Sequence, residues 1–346
     1  MLILIPGGCG FIGSNLAIYL KQNIKNSVII SVDNLSRNTS VLNQKRLKNH
    51  NIDNIKLNLS SKNCLKRLKK IKKKINLIID CCAEPSVELS KSKPNLIFDS
   101  NLKSTFNLLQ VAKINKSKII YFSTSRVYSI NKINNYFKKI KFSKILPKKL
   151  IIDEKFSTES PISLYGFSKL SSEILIKEYS FLYNMKYLIN RFGVVSGYGQ
   201  FGKQDQGFLS MWLWRHLNRL KINYQGFGGY GNQVRDVLDI NDLCLLVKEQ
   251  ILKMNKIYNQ TFNVGGGISN AINLKQLTNY CVAITKNKIK LNKNLKTSNY
   301  DFRYYITDNK KIYSTYDWRV KKNIKLIIKQ TFESLIRFKK DLKKIL

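Results

Sequence analysis

The stretch that decides the fold is "LILIPGGCGFIG", residues 2–13. Its apolar run, 2–5, is continuous rather than alternating, which is the pattern of a strand buried on both faces. The run leads directly into Gly8, Gly10 and Gly13 at G-x-G-x-x-G spacing, and residues 14–20 follow with helical periodicity. Glycine permits the tight turn and lets the backbone and a helix N-terminus approach a pyrophosphate. Alone this is a weak signal, because a glycine turn also occurs in nucleotide-free α/β proteins. Twenty residues past Gly13, a second apolar run, 28–32, ends in Asp33 and Asn34. A carboxylate there can hydrogen-bond ribose hydroxyls and repel a 2'-phosphate, so the two signals together predict NAD rather than NADP.

Outward from this point the rhythm continues. Apolar runs at 55–59, 77–79, 119–122 and 187–189 alternate with longer helical patterns, which predicts a Rossmann-like, doubly wound parallel α/β sheet with helical crossovers. Residues 129–150 interrupt it with a basic stretch containing Pro147 and no strand signal, read as a surface excursion. After about residue 190 the pattern becomes irregular, with glycines at 193, 197, 199, 202, 207, 226, 228, 229 and 231. Such loops suit ligand approach. The expected division is therefore an NAD-binding region over 1–190, rejoined by part of 235–265, with 191–346 mainly a smaller C-terminal substrate-binding lobe. The last stretch, "IKLIIKQTFESLIRFKKDLKKIL", has apolar residues at helical spacing and is expected to pack on its own lobe.

The 346 residues carry a formal net charge of +40, which suggests nucleic acid or an anionic membrane surface as a partner. However, only 11 of the 61 basic residues are arginine, and the lysine surplus runs through the whole chain without forming one basic segment. A general compositional bias explains this better than a binding face, so neither partner is expected. The six cysteines show no C-x-x-C pair, and with two histidines, His50 and His216, no metal-site spacing appears. No run approaches the length of a membrane span, and the N-terminus lacks a leader pattern. A soluble, cytoplasmic chain with free thiols is expected.

"SLYGFSK" places Tyr165 and Lys169 at i and i+4, on one face of a helical pattern at 164–182. Tyrosine and lysine are so abundant here that Y-x-x-x-K would arise by chance about two to three times, so context must decide. The motif lies downstream of the dinucleotide signal and follows a strand ending in Ser123 and Thr124. A lysine ammonium beside the phenol would lower its pKa from about 10 and make Tyr165 a usable base.

With these motifs in place, the chain resembles the extended short-chain dehydrogenase/reductase family, the NAD-dependent sugar epimerase/dehydratases, over nearly its full length. "DCCAEPSV" stands where that family has an H-x-A-A-Q-like segment, "NLKSTFNLLQ" matches its N-x-x-G-T-x-N-L-L helix, and "QVRDVLDINDL" matches its R-D-x-x-H-V-x-D segment. The resemblance implies NAD held by Gly7, Gly10, Phe11, Ile12, Gly13, Asp33, Asn34, Ala83, Asn101, Tyr165 and Lys169. It implies a catalytic set of Thr124, Tyr165 and Lys169, and a homodimer formed through two helices. Some positions depart from the pattern: Asp80 and Asp239 replace histidines, Glu84 replaces a glutamine, Asn58 stands where an aspartate often contacts adenine, and Val194 where asparagine is frequent.

Dehydratases of this family carry an Asp-Glu pair directly after the threonine. Here "STSRVY", residues 123–128, has Ser125 and Arg126 instead. Arginine stays protonated and serine is a poor acid, so the residues that expel water are missing. Epimerisation by transient oxidation to a keto sugar is the reaction left. Within the family, "GKQDQGFLSMW" and "GFGGYGNQVRD" resemble the CDP-paratose (CDP-tyvelose) 2-epimerase group of surface-polysaccharide sugar biosynthesis. Arg126, Gln206 and Arg235 then become the expected contacts to a CDP- or UDP-linked sugar, each arginine having an ion pair with a nearby carboxylate as its competing role. UDP-hexose 4-epimerisation and a non-catalytic nucleic-acid-binding member of the fold are the alternatives.

Overall fold

The computed structural model describes residues 1–138, 151–202 and 207–345. Its largest element is a seven-stranded sheet in which every pairing is parallel. Five strands follow the predicted runs and a sixth, β3, overlaps one: β1 (Leu2–Pro6), β2 (Val28–Asp33), β3 (Asp53–Lys56), β4 (Leu77–Asp80), β5 (Lys118–Thr124) and β6 (Tyr187–Phe192). Successive side chains alternate between the two faces. Ile3 and Ile5 join one buried apolar cluster with Ile79, Ile120 and Phe122, while Leu2 and Leu4 join another with Ile78, Ile119 and Tyr121. Burial on both faces is why the runs read as continuous.

Across the sheet the order is Gln260–Val264, β6, β5, β4, β1, β2, β3. After β3 the chain crosses back to the other side of β1. A cleft therefore opens beyond the carboxyl ends of β1 and β4, the place where doubly wound sheets bind ligands. Residues beyond β6 also build a smaller sheet in which Val234–Asp239 pairs with Val194–Ser196, Ala271–Asn273 and Tyr304–Tyr305. Ile222–Gln225 pairs with Leu291–Asn294. The terminal helices, Ile324–Arg337 and Lys339–Ile345, bury Ile327, Ile328, Leu335 and Leu342 against this region. No helix among the described residues is long and apolar enough to cross a membrane.

Two sequence expectations need correction. The third strand lies earlier than the run at 55–59, because Asn58 Oδ1 accepts from Ser60 N (3.1 Å) and Ser60 Oγ (2.9 Å), closing a turn. Leu57 and Leu59 remain buried as core residues outside the strand. The stretch at 129–150 is also not a plain surface excursion. Its described part forms the helix Ile130–Lys138, and Ile130 and Ile133 are buried in a cluster with Val127, Tyr128, Phe302 and Tyr305. Residues 139–150 lie outside the described residues.

Beneath the cleft, the helix Ser163–Tyr183 is tied to the sheet by a buried ion pair. Arg191 Nη2 in β6 donates to Glu173 Oε2 at 2.7 Å, its Nε donates to both Glu173 oxygens, and Ser123 in β5 donates to the same carboxylate. Arg191 also donates to Tyr128 Oη at 3.2 Å. Removing one partner of such a pair leaves an uncompensated buried charge. Glu173→Ala should therefore lose about 3–5 kcal/mol of stability, read from urea denaturation; an unchanged midpoint would show that the pair does not hold this helix.

Candidate active site at the switch point of the sheet

The turn after β1 is shaped by what its glycines lack. Gly7 has φ +70° and donates to Val32 O at 2.8 Å, and Gly10 N donates to Gly7 O at 3.0 Å. A Cβ on Gly13 would lie 2.3 Å from Gly7 O, so only glycine lets the helix Phe11–Asn23 press this closely on the turn. Gly10 caps that helix without a side-chain oxygen, which leaves the helix N-terminus open to an anion, with half-buried Phe11 and Ile12 in its first turn. Asp33, at the end of β2, accepts from Cys9 N (3.1 Å) and Leu35 N (2.8 Å). Burial raises the pKa of its carboxyl group, against which Leu35, Cys9 and Arg37 act. Asn34 is exposed, and Ala83 lies half-buried beyond β4. A turn whose glycines 7, 8 and 13 leave no room for a Cβ, an open helix N-terminus and a carboxylate at the next strand end fit a dinucleotide.

Asn101 occupies a π-helical turn, Phe98–Lys103, within the helical run from Pro94 to Asn115. Its Oδ1 accepts from Glu84 N at 2.8 Å and its Nδ2 donates to Ser168 Oγ at 2.9 Å. It thereby connects the loop after β4 to the helix that carries Tyr165 and Lys169. Glu84 in turn pairs with Arg37 at 3.4 Å, so side chains from beyond β2 and β4 meet at the cleft.

Thr124 ends β5 and caps the short 3-10 turn Ser125–Val127, its Oγ1 accepting from Arg126 N at 3.2 Å. The structure brings Tyr165 beside it: both side chains are buried, and Thr124 is among the groups that hold down the pKa of the phenol. Gly166 makes this contact possible, because a Cβ there would stand 2.2 Å from Arg126 O. Sequence reading singled out Tyr165 and passed over its neighbour, whose visible signal was only a glycine in the first turn of a long helix.

Tyr165 does not show the lowered pKa expected of it: burial raises it above the usual value, and Thr124, Arg126 and Arg37 lead the groups opposing the rise. Lys169 is itself buried, with Nζ 4.1 Å from the centroid of the Tyr121 ring. Burial lowers its pKa, and Asp80 is the strongest opposing influence. Asp80, fully buried, accepts from Cys82 N (3.0 Å) and Thr105 Oγ1 (2.9 Å). The departure from histidine at position 80 thus supplies a countercharge for the lysine. Asp239 is a helix cap, accepting from Asn241 N at 2.8 Å and pairing with Lys322 at 3.1 Å.

The two arginines expected at the substrate converge from distant parts of the chain. Arg235 Nη2 donates to Asp301 Oδ1 at 2.7 Å, and Arg126 Nη2 lies 4.0 Å from the same oxygen. Both guanidinium groups also lie over the Phe302 ring, at 4.6 Å for Arg126 and 5.7 Å for Arg235. Burial pushes Arg235 down to about 10 despite Asp301. The carboxylate partner weighed for each arginine is therefore one shared residue, Asp301, which nothing in the local sequence marks. Gln206 lies outside the described residues. Trp212 stacks on Tyr224 and donates to Thr278 Oγ1 at 3.0 Å, a core position.

Residues 3–265 match the family described as the NAD dependent epimerase/dehydratase family. CDP-paratose 2-epimerase of Salmonella typhi is 29% identical over 345 residues, covering 94% of this chain and 96% of that protein. Among solved structures, UDP-glucose 4-epimerase of Thermotoga maritima with UDP-glucose superposes with a TM-score of 0.78 at 25% identity, covering 97% of this chain and 99% of the other. UDP-glucuronic acid 4-epimerase of Bacillus cereus, in complex with UDP-glucuronic acid and NAD, gives 0.81 at 20% identity over 98% and 100%.

The Gly166 contact can be tested against helix propensity, which by itself favours alanine by about 1 kcal/mol. Gly166→Ala should cut turnover at least tenfold without loss of bound NAD, because the added methyl group must move Tyr165 away from Thr124. Wild-type turnover in that variant would mean the close approach is not needed.

Proposed function

We propose that this chain, which belongs to the NAD dependent epimerase/dehydratase family, is a nucleotide-sugar epimerase. The observation that carries the reading is the close packing of the Tyr165 helix on the end of β5, with Tyr165 and Thr124 buried side by side and followed by Ser125 and Arg126 where elimination would need an acid and a base. Ionised Tyr165 takes the proton of a sugar hydroxyl, and Thr124 hydrogen-bonds the same oxygen. NAD, when bound, supplies the acceptor and donor of the hydride. Lys169 and the glycine turn would hold the cofactor. The sugar, left as a ketone, turns before its hydrogen is returned to the opposite face. Arg126 is a permanent cation and cannot exchange protons, so water is not expelled.

Arg126 and Arg235 are the groups proposed for the diphosphate, a role that suits guanidinium geometry. CDP-paratose is the substrate we favour, supported by the near full-length relative and by the segments around 206 and 235. UDP-hexose 4-epimerisation is the second reading, supported by the likeness to the UDP-glucose complex. NAD-loaded protein should convert CDP-paratose to CDP-tyvelose; conversion of UDP-glucose to UDP-galactose instead would select the second reading. In deuterated buffer the product should keep protium at the inverted carbon, and deuterium there would overturn the transient-oxidation mechanism.

A positive charge beside a phenol favours its ionised form and lowers its pKa. Arg126→Ala removes such a charge from Tyr165, so the limb of the kcat/KM profile that depends on phenol ionisation should move to higher pH, and KM should rise more than kcat falls. An unmoved limb with unchanged KM would assign Arg126 to structure alone. We also propose a homodimer through the helical run from Pro94 to Asn115 and the helix Ser163–Tyr183, which expose Phe98, Phe106, Phe167, Ile174 and Phe181. Light scattering should give twice the chain mass, and Phe181→Glu should shift it toward the monomer.

A further inference from the structure

The short segment 300–303 is held by three side chains from elsewhere in the fold. Arg126 Nη1 donates to Tyr300 O at 2.7 Å, Asn134 Nδ2 to Asp301 O at 2.8 Å, and Arg235 Nη2 to Phe302 O at 2.7 Å. Three consecutive carbonyls are thus occupied by three different elements. Asn134 also accepts from Arg303 N at 2.9 Å. A carboxamide offers one donor edge and one acceptor edge, so Asn134 pairs with residues 301 and 303 as the backbone of a neighbouring strand would. The helix Ile130–Lys138 delivers it: Ile133, the preceding residue, is anchored in the apolar cluster that also contains Phe302. At the other end, Ser298 Oγ donates to Glu88 Oε1 at 3.4 Å and Lys91 lies over the Tyr300 ring, so the segment reaches across to the loop beyond β4.

We propose that Asn134 is a positioning residue for the nucleotide-sugar site. By clamping residues 301 and 303 it keeps Asp301 on Arg235 and near Arg126, and so fixes both guanidinium groups for a diphosphate. This assigns the start of the 129–150 stretch to substrate affinity. The inference rests on the nucleotide-sugar reading above and adds to it a residue that touches neither the proposed substrate groups nor the cofactor turn.

Titration calorimetry of the NAD-loaded full chain with CDP, and separately with UDP, tests it. Wild type should bind at least one of them, and Asn134→Ala should weaken that binding at least tenfold, with kcat at saturating nucleotide sugar within twofold and bound NAD unchanged. The Arg303 amide should exchange hydrogen faster in the variant. Adding Asp301→Ala to Asn134→Ala should weaken binding little further, because both act through one segment. Wild type that binds neither CDP nor UDP would bring down the nucleotide-sugar reading and this inference with it. Unweakened binding by Asn134→Ala, additive effects in the double variant, or a parallel loss of affinity, kcat, NAD and melting temperature would overturn the positioning role alone.

Discussion

At Gly166 the helix Ser163–Tyr183 passes the carbonyl oxygen of Arg126 with no space for a methyl group, and the arrangement of the cleft follows from that approach. The helix lies low against the end of β5, so that the Tyr165 phenol is buried beside Thr124. One turn further, Lys169 is then carried over Tyr121 of β5, in the interior of the sheet, and two turns further Glu173 meets Arg191 and Ser123. A single steric allowance thus sets the depth of three functional side chains. The buried ion pair keeps the helix at that depth, where sliding would strand a charge.

Burial is the price of that geometry, and it governs the chemistry. Tyr165, Lys169 and Asp80 all lose water, and each is pushed toward its neutral form. Asp80 and Lys169 oppose this in each other, and Arg126 and Arg37 oppose it at Tyr165. The phenol thus stands among cations, and the lysine has a buried carboxylate to answer it.

Some features were legible because their cause is local. A buried strand needs an apolar run, and the turn after β1 needs glycines at positions 7 and 13, where side chains would collide. The third strand was misplaced because Leu57 and Leu59 are buried for packing, and hydrophobicity does not distinguish a strand from a buried turn. The strand Gln260–Val264 has no continuous apolar run, since Gln260 is exposed and Asn263 is spent on Tyr128 and the Ile152 carbonyl. Residues 130–138 read as basic and loop-like because their apolar face is narrow, although Ile130 and Ile133 anchor it fully.

By itself the sequence determined the parallel sheet, the glycine turn after β1, the shared helix face of Tyr165 and Lys169, and the absence of an acid pair after Thr124. Each is carried by residues within a few positions of one another, where backbone sterics and side-chain period act directly. Only the tertiary structure decided that Arg126 and Arg235 share Asp301, that Asn134 clamps the backbone beside it, that Asp80 answers Lys169, and that Gly166 sets the depth of Tyr165. Those partners stand far apart in the chain, 66 residues in the case of Arg235 and Asp301. No periodicity connects such positions, because crossovers, the burial of Phe302 and the packing of the helix Ile130–Lys138 bring them together.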